Sequence, residues 1–348
     1  MDVACRVSET NKMSSSDSCK DSASKLLSND TICEVNNKMQ CMSTADKDNE
    51  DISICVNCGK EGDNINKLKS CTACKLVKYC SRECQIAHRP QHKKECRKRA
   101  AELHDEVLFK QPSPEDDCPI CFIRIPTLWK GYTYKTCCGK TICIGCALAP
   151  VYDDQGNEIA EVKCPFCRTP APTSDEEIVE RYKKRVEAGD VYAMYSVGCY
   201  CKDGMPGYPQ DQTKALELFH RAADLGYAKV YNNIGYEYEV GTCVERDMKK
   251  ANHYYEIAAI RGSSSARHNL GSKEEEAGNM DRALKHFMIA VGSGYSGSLR
   301  HIQKLYSDGH VTKEDYTKSL QSYQAYLGEV KNRERDQAAA FSAPFHYY

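Results

Sequence analysis

The residues with chemistry in this chain are cysteines in pairs. Fifteen of the 22 cysteines lie between Cys55 and Cys167. They fall at Cys55-x2-Cys58, Cys71-x2-Cys74, Cys80-x3-Cys84 and His92-x3-Cys96, then at Cys118-x2-Cys121, Cys137-Cys138, Cys143-x2-Cys146 and Cys164-x2-Cys167. Two thiols separated by two or three residues can reach one tetrahedral zinc ion, and a second pair completes its shell. Eight pairs imply about four Zn2+ per chain. Disulfides are the competing use of paired cysteines, but a histidine at ligand spacing has no place in a disulfide framework.

The rest of the chain must position these ligands, and its composition bounds how. At 348 residues there is room for two or three domains. A net charge of -1 asks for neither nucleic acid nor an anionic membrane as partner. Mean hydropathy is -0.63, and no apolar run reaches bilayer-spanning length, so no membrane role is expected. The N-terminal MDVACRVSETNKMSSSDSC lacks the apolar stretch of a secretory signal. That predicts a cytoplasmic or nuclear protein, where thiols stay reduced and paired cysteines bind metal. Residues 1–52 are rich in Ser, Asp, Asn and Lys without periodicity, and are expected to be disordered. Cys5, Cys19, Cys33 and Cys41 in that segment have no partner at chelating spacing.

Gly59 follows a cysteine pair, where a tight ligand turn favours glycine. The stretch after Cys80 suits a short helix carrying Cys84, Gln85 and Ala87. With the run Tyr79-Cys80-Ser81, residues 55–96 resemble the MYND-type zinc finger over their whole length. The resemblance implies cross-braced ligation: Cys55, Cys58, Cys80 and Cys84 at one zinc, Cys71, Cys74, His92 and Cys96 at the other. His88 lacks ligand spacing and is read as a surface residue. MYND fingers generally bind short proline-containing peptides, using a Gln after the sixth ligand and a Trp beyond it. Gln85 is present as the candidate peptide contact, and Arg89 stands where the Trp would be. The basic run from His92 to Arg99 matches a nuclear-localisation or nucleic-acid patch in composition, but a solvated helix face is the expected reading. That helix is expected to continue through Val107, with Pro112 and Pro114 ending it, making residues 97–117 a helix and linker.

The text CPIC, CCGKTICIGC and CPFCR over residues 118–168 resembles a RING-type finger. The family's interleaved pattern implies Cys118, Cys121, Cys143 and Cys146 at one zinc. The second should use a Cys-x-His step with Cys164 and Cys167, but here the step reads Cys138-Gly139-Lys140. A protonated lysine has no lone pair for zinc. Cys137 is the candidate substitute beside Cys138, which requires a bent backbone that Gly139 could permit. A water-completed second site is the alternative. The resemblance further implies contacts to a ubiquitin-charged conjugating enzyme by Ile120, Pro165 and Phe166. Arg168 would hydrogen-bond to enzyme and ubiquitin together. Pro150 replaces the family's usual Trp, with Leu148 nearby.

Ser174 and Glu177 form a capping box ahead of Ile178, Tyr182 and Val186, which share a helical face. Gly189, Gly226, Gly262 and Gly294 then recur 37, 36 and 32 residues apart, the period of a helical-hairpin solenoid. Val197-Gly198 and Ile234-Gly235 place a small residue where two helices touch. Gly204 and Gly241 suit left-handed caps. Lys214-Ala215 and Leu218-Phe219, with Lys250-Ala251 and Tyr254-Tyr255, mark the second helices. The pattern resembles Sel-1-like repeats, relatives of tetratricopeptide repeats, across residues 174–330. Two units match well. The third lacks the glycine loop at Glu274–Asn279, and the fourth is degenerate. Cys199, Cys201 and Cys243 read as buried small apolar residues. The charged tail, residues 331–348, has no reading.

The expected fold class is therefore multidomain: two small zinc-stapled α+β fingers followed by an all-α solenoid. The expected function is a RING-type ubiquitin-protein ligase whose repeats hold a protein target. The rival is a non-enzymatic adaptor binding only proteins. A MYND-containing lysine methyltransferase finds no matching cofactor-binding sequence beside residues 55–96.

Overall fold

The structure is a computed structural model that describes residues 54–62, 68–113, 116–149 and 162–341. The expectation of disorder over residues 1–52, and Pro150, lie outside that set. The chain divides into two compact units at Lys110 and Gln111.

In the first unit, strands β1 (Lys69–Ser70) and β2 (Lys78–Tyr79) pair antiparallel. Helix α1 (Arg82–Leu108) follows, capped by Ser81, whose hydroxyl accepts from the Cys84 N–H. The short helix and its expected continuation are one element of 27 residues. It runs through Pro90, which removes a ladder donor without ending the helix.

The second unit opens with a finger. Strands β3 (Tyr132–Lys135) and β4 (Lys140–Cys143) form an antiparallel hairpin in the register Tyr132 to Cys143, and β4 runs into helix α2 (Ile144–Leu148). Helix α3 (Asp175–Glu187) leads into the solenoid. The Ser174 hydroxyl accepts from the Glu177 N–H, while the Glu177 carboxylate reaches back to the N–H of Thr173 rather than to Ser174 itself.

Four helical hairpins follow: α4 (Val191–Asp203) with α5 (Gln212–Asp224), α6 (Val230–Val240) with α7 (Met248–Ile260), α8 (Ser264–Glu276) with α9 (Met280–Gly292), and α10 (Ser296–Ser307) with α11 (Lys313–Val330). Gly204 and Gly241 take left-handed backbone at the ends of α4 and α6. A β-carbon on Gly198 would meet the Phe219 ring at 2.6 Å, and one on Gly235 the Tyr255 ring at 2.9 Å. The third hairpin has the same seam, where a β-carbon on Gly271 would meet the Phe287 ring at 2.6 Å. Its turn is short and closes on Gly278 at φ +82°. The degenerate fourth unit is also a complete hairpin, with a core of Ile302, Leu305 and Val311. Cys199, Cys201 and Cys243 are buried. Within the charged tail, helix α12 spans Arg333–Phe341. Its Ala338 packs into the finger core with Cys118, Ile142 and Cys146, so the end of the chain completes a domain that precedes the repeats.

Candidate metal centres

Each Cys-x2-Cys pair outside α2 is built on one backbone turn. The residue after the second cysteine donates its N–H to the carbonyl of the first: Gly59 to Cys55 at 2.8 Å, Lys75 to Cys71 at 3.0 Å, Phe122 to Cys118 at 2.8 Å and Arg168 to Cys164 at 2.9 Å. All four donors have positive φ, and among the described residues Lys75, Phe122 and Arg168 are the non-glycine residues that do. The turn aims both sulfurs of a pair at one point, and left-handed backbone is its cost.

Four clusters result among the described residues, and in each the donor atoms all lie within 4.8 Å of one another. The first unit holds Cys55, Cys58, Cys80 and Cys84 in one, and Cys71, Cys74, His92 and Cys96 in the other. Helix α1 carries Cys84, His92 and Cys96, and so serves both. His92 Nε2 lies 3.2 Å from Cys74 Sγ. His88 is not a free surface residue. It is half-buried, its Nδ1 sits 3.1 Å from the Tyr79 hydroxyl, and its ring stacks on His92 at 5.5 Å. Tyr79, buried in the finger core, thus orients the ligand histidine through its neighbour. Gln85 is half-buried on the first turn of α1, with Ile86 60% exposed beside it.

In the second unit, Cys118, Cys121, Cys143 and Cys146 form one cluster, and Cys137, Cys138, Cys164 and Cys167 the other. The two alternate along the chain. Both Cys137 and Cys138 reach the same cluster because the β3–β4 turn is tight. The N–H groups of Cys138 and Gly139 both donate to the Lys135 carbonyl, and Gly139 has φ +69°. Cys138 Sγ then lies 3.9 Å from Cys164 Sγ, and Cys137 Sγ 3.3 Å from Cys167 Sγ. Lys140 is exposed, with its ammonium over the Phe166 ring at 5.8 Å. The Cys143 side chain and N–H hold the Cys118 thiol well below its ordinary value, at about 4, against the opposing effect of burial.

The solenoid grips this finger at both of its ends. From the N-terminal side, Arg185 Nε donates 3.0 Å to the Thr136 carbonyl in the turn bearing Cys137 and Cys138. Tyr134 stacks on Tyr192 at 4.4 Å. From the C-terminal side, Thr127 donates its hydroxyl to the Ser293 carbonyl and its N–H to the Tyr326 hydroxyl, and Arg335 reaches the first knuckle. None of these supports was read from the sequence, since each depends on residues far apart in the chain. Of the residues expected to contact a conjugating enzyme, Phe166 and Arg168 are exposed and Pro165 is half-buried. Ile120 is half-buried against the core that includes Ala338.

A zinc–sulfur bond of about 2.3 Å sets tetrahedral sulfur–sulfur separations of about 3.8 Å. The Cys58–Cys80 and Cys80–Cys84 pairs at 3.5 Å, Cys71–Cys96 at 3.7 Å and Cys121–Cys143 at 3.8 Å fit that size. The donors are thiols with one imidazole, the ligand set zinc prefers. The fold and these clusters define a zinc-binding protein with a finger region and a helical repeat solenoid. More particularly, residues 55–96 match the MYND finger family, and residues 191–227 and 228–263 match the Sel1 repeat. The chain is also 28% identical over 113 residues to the ERAD-associated E3 ubiquitin-protein ligase component HRD3B of Arabidopsis thaliana. The match covers 32% of this chain and 18% of that protein's length. Among solved structures, c5321 of uropathogenic Escherichia coli aligns at 27% identity and a TM-score of 0.37, over 47% of this chain and 36% of its own. A Sel1 repeat protein from Oxalobacter formigenes aligns at 23% identity and a TM-score of 0.37, over 48% and 64%. No helix among the described residues is long and apolar enough to cross a membrane.

Proposed function

We propose that residues 118–168 are the RING-type module of a ubiquitin-protein ligase and that the repeats hold its protein target. The observation carrying this reading is the alternation of the two four-cysteine clusters around a hairpin and a short helix. In this reading all four clusters hold zinc. Ile120, Pro165 and Phe166 contact a ubiquitin-charged conjugating enzyme, and Arg168 offers its five donors to enzyme and ubiquitin together. A target lysine then attacks the thioester. The module acts by positioning, with no nucleophile of its own. Helical repeat stacks present extended surfaces for protein partners, and the MYND finger adds a second contact through Gln85. The likeness to a ligase-complex component supports this setting, and thiols gathered into metal-shaped clusters suit the cytosol or nucleus.

The second reading is an adaptor that binds proteins without catalysis. It is favoured by Ile120, which lies half-buried in a core closed by Ala338, and by a relative named as a component.

The test is discharge of ubiquitin from a panel of charged conjugating enzymes to free lysine. The whole chain is used, because the finger core draws on α12. Arg168→Gly is the informative variant, since glycine takes the φ of +64° without strain and leaves the knuckle intact. Acceleration that disappears in the variant supports the ligase. No acceleration with any enzyme, from a chain holding four zinc ions, moves the reading to the adaptor.

A further inference from the structure

Arg335 is a charged side chain in a place that needs an explanation. It is 0% exposed. Its Nη1 donates to the carbonyls of Arg124 at 2.7 Å and Val330 at 2.5 Å. Its Nη2 donates to the Ile123 carbonyl at 3.1 Å and lies 3.7 Å from Cys121 Sγ. Among the described residues no carboxylate pairs with it. An arginine does not give up its proton in a protein, and a buried charge without a counter-charge is strongly destabilising. The negative charge within reach is that of the Cys118, Cys121, Cys143 and Cys146 cluster.

That cluster has the complementary difficulty. Four thiolates around one divalent ion leave a net negative charge, and here Cys118, Cys143 and Cys146 are all buried. The other clusters are relieved in different ways. Cys58 is exposed in one, His92 replaces a thiolate in another, and Cys137, Cys138 and Cys167 are only half-buried in the last. The backbone makes the pairing tight. A β-carbon on Gly145, between ligands Cys143 and Cys146, would stand 2.7 Å from the Arg335 nitrogen. That nitrogen is itself held by the Asn332 side chain at 2.8 Å. The Ile123 carbonyl that receives Nη2 also accepts from the Cys118 N–H. Helix α12 therefore touches the ligand turn and the ligand helix at once.

We infer that Arg335 is the charge-balancing outer partner of the metal ion in the Cys118, Cys121, Cys143 and Cys146 cluster, so that metal there and the seating of α12 are coupled. This rests on reading the cluster as a zinc site. The guanidinium offsets the thiolate charge, and the metal-loaded cluster supplies the counter-charge that a buried guanidinium requires. Neither is stable in this place without the other. The C-terminal helix is thus part of a metal centre that begins more than two hundred residues earlier.

The test uses the zinc-loaded whole chain, with bound ions counted by native mass spectrometry during exposure to a chelator. Arg335→Met is expected to keep three ions at the wild-type rate and release the fourth about 10- to 100-fold faster, and Arg335→Lys to fall between. A second measurement needs no change at Arg335. In Cys118→Ser, hydrogen exchange over residues 333–341 should rise sharply while residues 212–224 and 248–260 stay protected. Wild-type release kinetics in Arg335→Met, or undiminished protection of residues 333–341 in Cys118→Ser, would overturn the coupling. A zinc count still at four in Cys118→Ser would overturn the metal assignment itself, and the coupling with it.

Discussion

The hydroxyl of Tyr134 donates a 2.6 Å hydrogen bond to Asp190 Oδ2, joining strand β3 of the finger to the N-cap of the first repeat helix. Asp190 uses its other oxygen to accept from the N–H groups of Tyr192 and Ala193. One carboxylate thus starts the solenoid and anchors the finger. Burial, and then Asp190, push the Tyr134 phenol well above its ordinary range, so it remains a donor at any working pH. Tyr134→Phe keeps the stack on Tyr192 and deletes only the bond. It should cost about 1–2 kcal/mol, read as a lower urea midpoint, with the zinc count unchanged. An unchanged midpoint would show that the stack alone holds the junction.

The turn at Cys137 and Cys138 makes a sharp statement about ligands. Cys137→Ser and Cys138→Ser should each reduce bound zinc from four to three, whereas Lys140→Ala should retain all four. Native mass spectrometry separates these outcomes. Zinc retained in Cys137→Ser would point to a site completed by water.

The glycine seam predicts a local and graded response. Gly271→Ala would drive a methyl group into the Phe287 ring and should destabilise by about 1–3 kcal/mol. Gly292→Ala, in open space on the next helix, should be neutral or slightly stabilising. Thermal unfolding of the pair checks the seam directly.

Acid should weaken the third and fourth hairpins through His268. Burial, followed by His301 and Arg300, pulls its pKa down to about 4, with Glu275 opposing. Its ring also meets Ser298, Phe287 and Tyr295. The folded form binds its proton later than the unfolded form, so this contribution is whole above about pH 6.5 and is lost as pH falls toward 4. Zinc loss in acid adds a second slope. The readout is therefore the difference between wild type and His268→Gln in unfolding midpoints from pH 7 to 4.5, with the wild type expected to fall more steeply. Parallel slopes would remove His268 from the account.

How much of this was legible in the sequence divides along chain distance. Cysteine spacing reports on ligand turns because each turn is closed within about six residues, and Gly59 already hinted at the backbone the other three adopt. The repeat glycines were readable because the hairpin period places them against a ring one helix away. His88 was misjudged because its role runs through Tyr79, a contact that spacing to zinc does not encode. The third hairpin was underrated because Gly278 shortens its turn rather than removing it. Arg185 and Arg335 look like ordinary surface charges in a charged helix. Their partners are carbonyls in turns that only the folded chain brings near, so no local pattern could have marked them.

A repeat stack is ordinarily quasi-one-dimensional: each unit feels only its neighbours, and the ends fray first. Here the leading helix holds the finger through Arg185, and the last helix holds it through Arg335. The array is closed on itself without a covalent bond. Release of either end of the stack also removes a support of the same small domain. With the finger intact, the repeat unit should therefore resist fraying at both ends of the stack. A protease that nicks its final turn would be felt at the far end of the stack.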